Sequence, residues 1–134
     1  MYEKLYAKAC AENDDIVLSD VRVKHEDGVV EECVFRDITK KGLVDSVIMP
    51  MNCSKNPNKM SKSVWHSIYR RQFVEENHIR FEDRRVYLEE DALFNLTSCL
   101  LANRVGCCHE SLYCWDKHAD SESNREYGND EVAR

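Results

Sequence analysis

The feature that most limits the fold is a change of hydrophobic period near residue 16. Tyr2, Leu5, Tyr6 and Ala9 recur at helical spacing, and Asn13-Asp14-Asp15 interrupts them. Ile16-Val17-Leu18 follows as an unbroken apolar run, which then alternates through Val21 and Val23. A run this short and this continuous suits a strand covered on both faces, as in a parallel sheet. His25-Glu26-Asp27-Gly28 carries an Asp-Gly turn signal, so residues 29–35 can return as a second strand. Helix, buried strand and hairpin in this order predict an α/β fold: a small mixed sheet with flanking helices, whose opening strand is absent from the chain.

Further along, 37–49 has weak helical spacing, with Ile38, Val44, Val47 and Ile48 as its inner residues. Residues 50–59 hold both prolines of the chain and read as a loop, a natural place for substrate contacts. A strand is expected over 64–69 and a short helix over 72–77, with a continuous helix over 62–77 as the alternative. The clearest helix is 91–103, where Leu93, Leu96, Leu100 and Leu101 share a face flanked by Phe94. Residues 105–108 and 112–117 read as two closing strands. One domain therefore spans 1–119, and 120–134 is a polar tail expected to fray.

Hydrophobic residues at 43% and charged residues at 33% give a globular balance, and no apolar stretch nears the roughly 18 residues of a membrane span. Met1-Tyr2-Glu3-Lys4 has no basic-then-apolar leader pattern, which predicts a cytoplasmic protein, at most peripheral at the inner membrane face. A formal charge of −6 argues against nucleic acid as a partner, because Lys and Arg must replace phosphate counterions there. Lys55, Lys59, Lys62, Arg70 and Arg71 form the one basic cluster, a solvated face or a contact for phosphate or sugar. Seven irregularly spaced cysteines, without a leader, read as reduced thiols.

Three carboxylates, Glu89-Glu90-Asp91, open the apolar helix. Acids at a helix N-terminus stabilise it by roughly 0.3–1 kcal/mol each. A carboxylate held there and facing a cleft is equally placed to take a proton from a hydroxyl. Trp65 is either a core aromatic or a face on which a sugar ring stacks. Arg70 and Arg71 either pair with Glu75 or Glu76 or meet a phosphate or acceptor. Cys107, Cys108, His109, Cys114 and His118 cluster in a way zinc favours. Adjacent strand residues point to opposite faces, however, and no Cys-x-x-Cys occurs, so the spacing argues against zinc.

Several of these segments combine into a longer pattern. Val64-Trp65 leads to Tyr69-Arg70-Arg71, then to Phe73-Val74-Glu75-Glu76-Asn77-His78-Ile79-Arg80-Phe81, then to Glu90-Asp91-Ala92-Leu93-Phe94. Arg104-Val105-Gly106 and Leu112-Tyr113-Cys114-Trp115 follow the apolar helix. In order and spacing this resembles the C-terminal half of family 2 glycosyltransferases of the GT-A fold, especially enzymes that assemble surface polysaccharides. Residues 1–17 resemble the helix and strand that follow the donor's Asp-x-Asp in that family, so the likeness covers about 1–123.

The resemblance implies inverting hexosyl transfer from a nucleotide sugar to a glycan or lipid-linked acceptor. It places the catalytic base at Asp91 with Glu90 as its positioning neighbour, and Trp65, Arg70 and Arg71 at the acceptor. It also implies a divalent cation, Mg or Mn, on the donor diphosphate, with His118 as the nearest candidate ligand. The sequence contains no Asp-x-Asp. The chain is therefore expected to be an acceptor-side piece that binds no cation and no nucleotide sugar without the missing half, and that is inactive alone. The alternative is a non-catalytic glycan-binding or oligomerisation module. An open sheet edge left by the missing strands predicts a homo-oligomer.

Overall fold

A computed structural model describes residues 1–35, 38–39, 63–87 and 89–118. In chain order these form α1 (Tyr2–Glu12), β1 (Ile16–Lys24), β2 (Val30–Cys33), β3 (Ile38–Thr39), β4 (Ser67–Tyr69), α2 (Arg71–Glu76), α3 (Glu90–Leu101) and β5 (Arg104–Asp116). Helix α1 stops at Asn13, whose φ of 58° is the left-handed conformation that asparagine tolerates better than most residues. The next amide, Asp14 N–H, donates back to the Ala9 carbonyl at 3.1 Å and closes the helix end.

Strand β1 is the centre of a mixed sheet. Along one side its first half pairs antiparallel with β4, Ile16 opposite Tyr69, and its second half antiparallel with β2, Val21 opposite Cys33. Along the other side it runs parallel to β5 from Ile16–Val105 to Lys24–Asp116. With neighbours on both sides and helices on both faces, β1 is buried without a break from Ile16 to Val21, which is why its apolar run does not alternate. The β1–β2 turn is the expected one: Gly28 has φ 84°, and Asp27 Oδ1 accepts the Val29 amide at 2.9 Å.

Ile16 and Leu18 point to the face that packs against Phe73 of α2 and Phe94 and Cys99 of α3, with Ile79, Ala102, Val105 and Cys107 completing the core. Val17 alternates to the other face, as does the fully buried Leu5 side of α1. Gly106 lies on that α1 face, where a Cβ would come within 2.2 Å of Asp14 Oδ2.

Three expectations need correcting. Ile38–Thr39 is a strand, paired with Val105 and Arg104, where a helix over 37–49 was expected; the remainder of that stretch lies outside the described residues, as do the 50–59 loop and the 120–134 tail. The strand expected over 64–69 is confined to β4, with residues 64–66 in a turn. The two closing strands are one. Ser19 pairs with Cys108, Asp20 with Ser111 and Val21 with Tyr113, so a bulge around 109–112 takes up the polar interruption that reads as a loop in the sequence.

Candidate functional site

Helix α3 begins with Glu90 and Asp91 in its first turn, where the unpaired backbone N–H groups favour negative charge. Glu90 reaches Arg84 Nε at 3.9 Å. Asp91 is half-buried, and its pKa is raised, first by burial and then by the neighbouring Glu90 charge, with Arg84 opposing. One turn on, the buried Asn95 accepts from the Tyr69 hydroxyl through Oδ1 at 3.0 Å. Burial is the main cause that raises the Tyr69 pKa, and the Asp91 charge adds to it, so the phenol stays protonated. Phe81 stacks on Phe94 with ring centres 4.0 Å apart.

Arg70 and Arg71 border a different feature. A groove of about 530 Å³ runs between the end of α1 and β4, lined by Tyr6, Asn13, Asp14, Tyr69, Arg70 and Arg71 among others. The Arg70 guanidinium donates to Asn13 Oδ1 at 2.9 Å and to the Asp14 carbonyl at 2.8 Å, and Asp15 Oδ1 lies 3.8 Å away. It therefore ties α1 to β4 instead of pairing with Glu75 or Glu76. Arg71 does pair with Glu75, at 2.8 Å on the exposed side of α2.

Trp65 stands apart from both. Its indole lies 4.3 Å from Tyr113 and 6.0 Å from Trp115, centre to centre, with the buried His66 edge-on at 5.1 Å. Lys117 Nζ sits 5.1 Å over the Trp115 ring. All three aromatic side chains are half-buried, so they make an open aromatic shelf at the far end of β5. No hydrogen bond, ion pair or ring contact among the described residues joins Trp65 to Glu90 or Asp91. His118 is exposed just beyond β5.

Two acidic positions escaped the sequence reading. Asp15 Oδ2 accepts the Asn103 amide at 2.9 Å and thereby fixes the α3–β5 corner to the start of β1. Asp20, on β1, meets Cys107 and His109 of β5. Acids just before and inside the apolar run of β1 were the available signal, but their partners depend on strand pairing. Compared with protein-family models and with curated proteins, the chain matches none.

Proposed function

We propose that this chain is the acceptor side of an inverting glycosyltransferase, with Asp91 as the base that takes a proton from the acceptor hydroxyl. The observation that carries this reading is the state of Asp91 itself: a half-buried carboxylate in the first turn of α3, with its pKa raised by burial and by Glu90. A raised pKa strengthens a carboxylate as a proton acceptor, and base catalysis of this kind contributes roughly 10²–10⁴-fold. The deprotonated hydroxyl oxygen would then attack the anomeric carbon from the side opposite the nucleoside diphosphate, which leaves with the bonding electron pair. Glu90 holds Arg84 beside the base, and Trp65, Arg70 and Arg71 are proposed to meet a larger glycan or lipid-linked acceptor.

A magnesium or manganese ion on the donor diphosphate does not fit the described residues. Among the described residues the one group of potential metal ligands is Asp20, Cys107 and His109, which excludes His118, and the sequence lacks Asp-x-Asp. Transfer would therefore need a second polypeptide segment that carries the nucleotide.

The second reading is a glycan-binding module, favoured by the Trp65–Tyr113–Trp115 shelf. Titration of the labelled chain with a panel of oligosaccharides, followed by amide NMR, separates the two. Acceptor binding should shift the amides of 89–95, whereas a shelf-only module should shift those of 64–66 and 113–117. Calorimetry with UDP-sugars and manganese should show no heat. If no saccharide moves 89–95, the base assignment fails.

Self-association belongs to the same proposal. Beyond Val105 the outer side of β5 has no partner strand among the described residues, and open edges of this kind pair with other chains. Among the described residues no helix is long and apolar enough to cross a membrane.

A further inference from the structure

The bulge in β5 gathers three different metal-binding groups that the proposed transfer does not use. Cys107 and His109 are two residues apart on one strand and so share a face. Asp20, at the position on β1 where the register shifts, stands beside them. Its Oδ1 accepts the Phe35 amide at 2.8 Å and the Cys107 thiol at 3.6 Å, and its Oδ2 lies 3.7 Å from His109 Nδ1. One ligand atom from each of the three residues falls within 4.8 Å of the others. The Asp20 side chain is only 7% exposed, so its charge is nearly shut off from water and is met by one amide, a weak thiol donor and an imidazole. A buried carboxylate is costly unless it is paired and hydrogen-bonded, and a bound cation would supply the full opposing charge.

We propose that Asp20, Cys107 and His109 form a site for a borderline-soft divalent cation, zinc, with a fourth position open to water. Bond lengths of about 2.0 Å to O and N and 2.3 Å to S, at tetrahedral angles, require an S···O separation of about 3.5 Å and an N···O separation of about 3.3 Å. The thiol approaches Oδ1 and the imidazole approaches Oδ2, two oxygens of one carboxylate. One ligand atom from each residue lies within 4.8 Å of the others, so a cation draws the three together by up to about 1–1.5 Å to reach this geometry. Thiolate plus imidazole selects zinc over magnesium or manganese, which prefer oxygen alone. Binding forms Zn–S, Zn–N and Zn–O bonds and releases the Cys107 thiol proton to solvent; Cys107 enters no disulfide. The half-exposed His109 ring supplies the route in, and three protein ligands with one open position is the arrangement of reactive rather than purely structural zinc. Alternation along β5 turns Cys107 and Cys108 to opposite faces, which argues against a zinc site from the spacing alone, and that same alternation sets Cys107 beside His109.

The test is a cobalt(II) titration of the reduced full chain, read by thiolate-to-cobalt charge-transfer absorption. One equivalent should bind, zinc should displace it, and a large excess of magnesium should not. Cys107→Ser and His109→Ala should each weaken binding by more than the roughly 10–100-fold that even an outer-shell partner carries. Cys114→Ser, on an exposed residue, should change nothing. His109 is exposed, so His109→Ala keeps the fold and decides the matter if Cys107→Ser does not fold. Absence of the charge-transfer band, or a band that survives both substitutions because other thiols hold the metal, overturns the site.

Discussion

Replacing Gly106 with alanine should destabilise the chain by about 2–3 kcal/mol, and the structure says where that cost arises. An added Cβ would lie 2.2 Å from Asp14 Oδ2 and 3.0 Å from both Asp14 Cγ and Lys8 Cε. That is about 1.1 Å inside an ordinary C···O contact of roughly 3.3 Å. The Asp14 side chain is 1% exposed and cannot swing into water, so the carboxylate must move within a packed layer. Overpacking of this kind costs about 1–3 kcal/mol. Moving the carboxylate also disturbs the bond from Arg104 Nε to Asp14 Oδ1 at 3.0 Å. A charge-assisted bond is worth about 1.5–3 kcal/mol when buried, here discounted because the Arg104 side chain is 57% exposed. Urea unfolding should show a lower midpoint at unchanged m. Adding Asp14→Ala removes the clashing group, so the double variant should be more stable than the sum of the single losses by about 1 kcal/mol or more. Strict additivity, or a Gly106→Ala loss below about 0.5 kcal/mol, would refute the contact.

Four further outcomes follow. Burial lowers the His66 pKa from 6.5 to about 4, so between those values the unfolded chain binds more protons than the folded one. Stability should be full above pH 6.5 and fall toward pH 4, by an amount on the order of 3 kcal/mol, and a pH series of urea titrations on His66→Phe should lose most of that slope. With a donor-binding partner segment supplied, Asp91→Asn should lower the transfer rate by about 10²–10⁴-fold while saccharide binding by NMR persists; equal loss of both would reduce Asp91 to a structural role. Trp65→Ala should cost about 1.5–3 kcal/mol by urea unfolding, less than a fully buried tryptophan, because the ring keeps one open side. Sedimentation equilibrium at micromolar concentration should find a dimer or larger species, and a strictly monomeric chain would discount pairing along β5.

Much of the fold was legible because it rested on local signals. The apolar triplet at Ile16–Leu18 and the Asp27-Gly28 turn each announce themselves within a few residues. Helix α3 was legible as a helix, but it buries Phe94, Asn95, Ser98 and Cys99 and leaves Leu93, Leu100 and Leu101 of the expected leucine face exposed. What escaped depends on pairing between distant strands. A bulge leaves no mark of its own in sequence, so the polar stretch His109-Glu110-Ser111 looked like a break where β5 is continuous. Ile38 and Thr39 looked helical because two residues cannot reveal a period; β5 recruits them. The candidate site divides in the same way. The place of Glu90 and Asp91 at a helix start is a local signal, and their roles as base and neighbour came only with the resemblance, whereas the engagement of Arg70 with Asn13 and Asp14 depends on how α1 returns against β4.

The bulge also has an arithmetic. Two steps along β1, from Ser19 to Val21, match five along β5, from Cys108 to Tyr113. The surplus is odd, so side chains beyond it emerge on the side opposite to that which unbroken alternation would give them. Losing one residue between Cys108 and Tyr113 would turn Tyr113 and Trp115 over and dismantle their stack with Trp65, while losing two would preserve it. Length changes in this stretch of the chain are therefore tolerable in even numbers, and the parity of the insertion, more than its composition, decides which way the aromatic rings look.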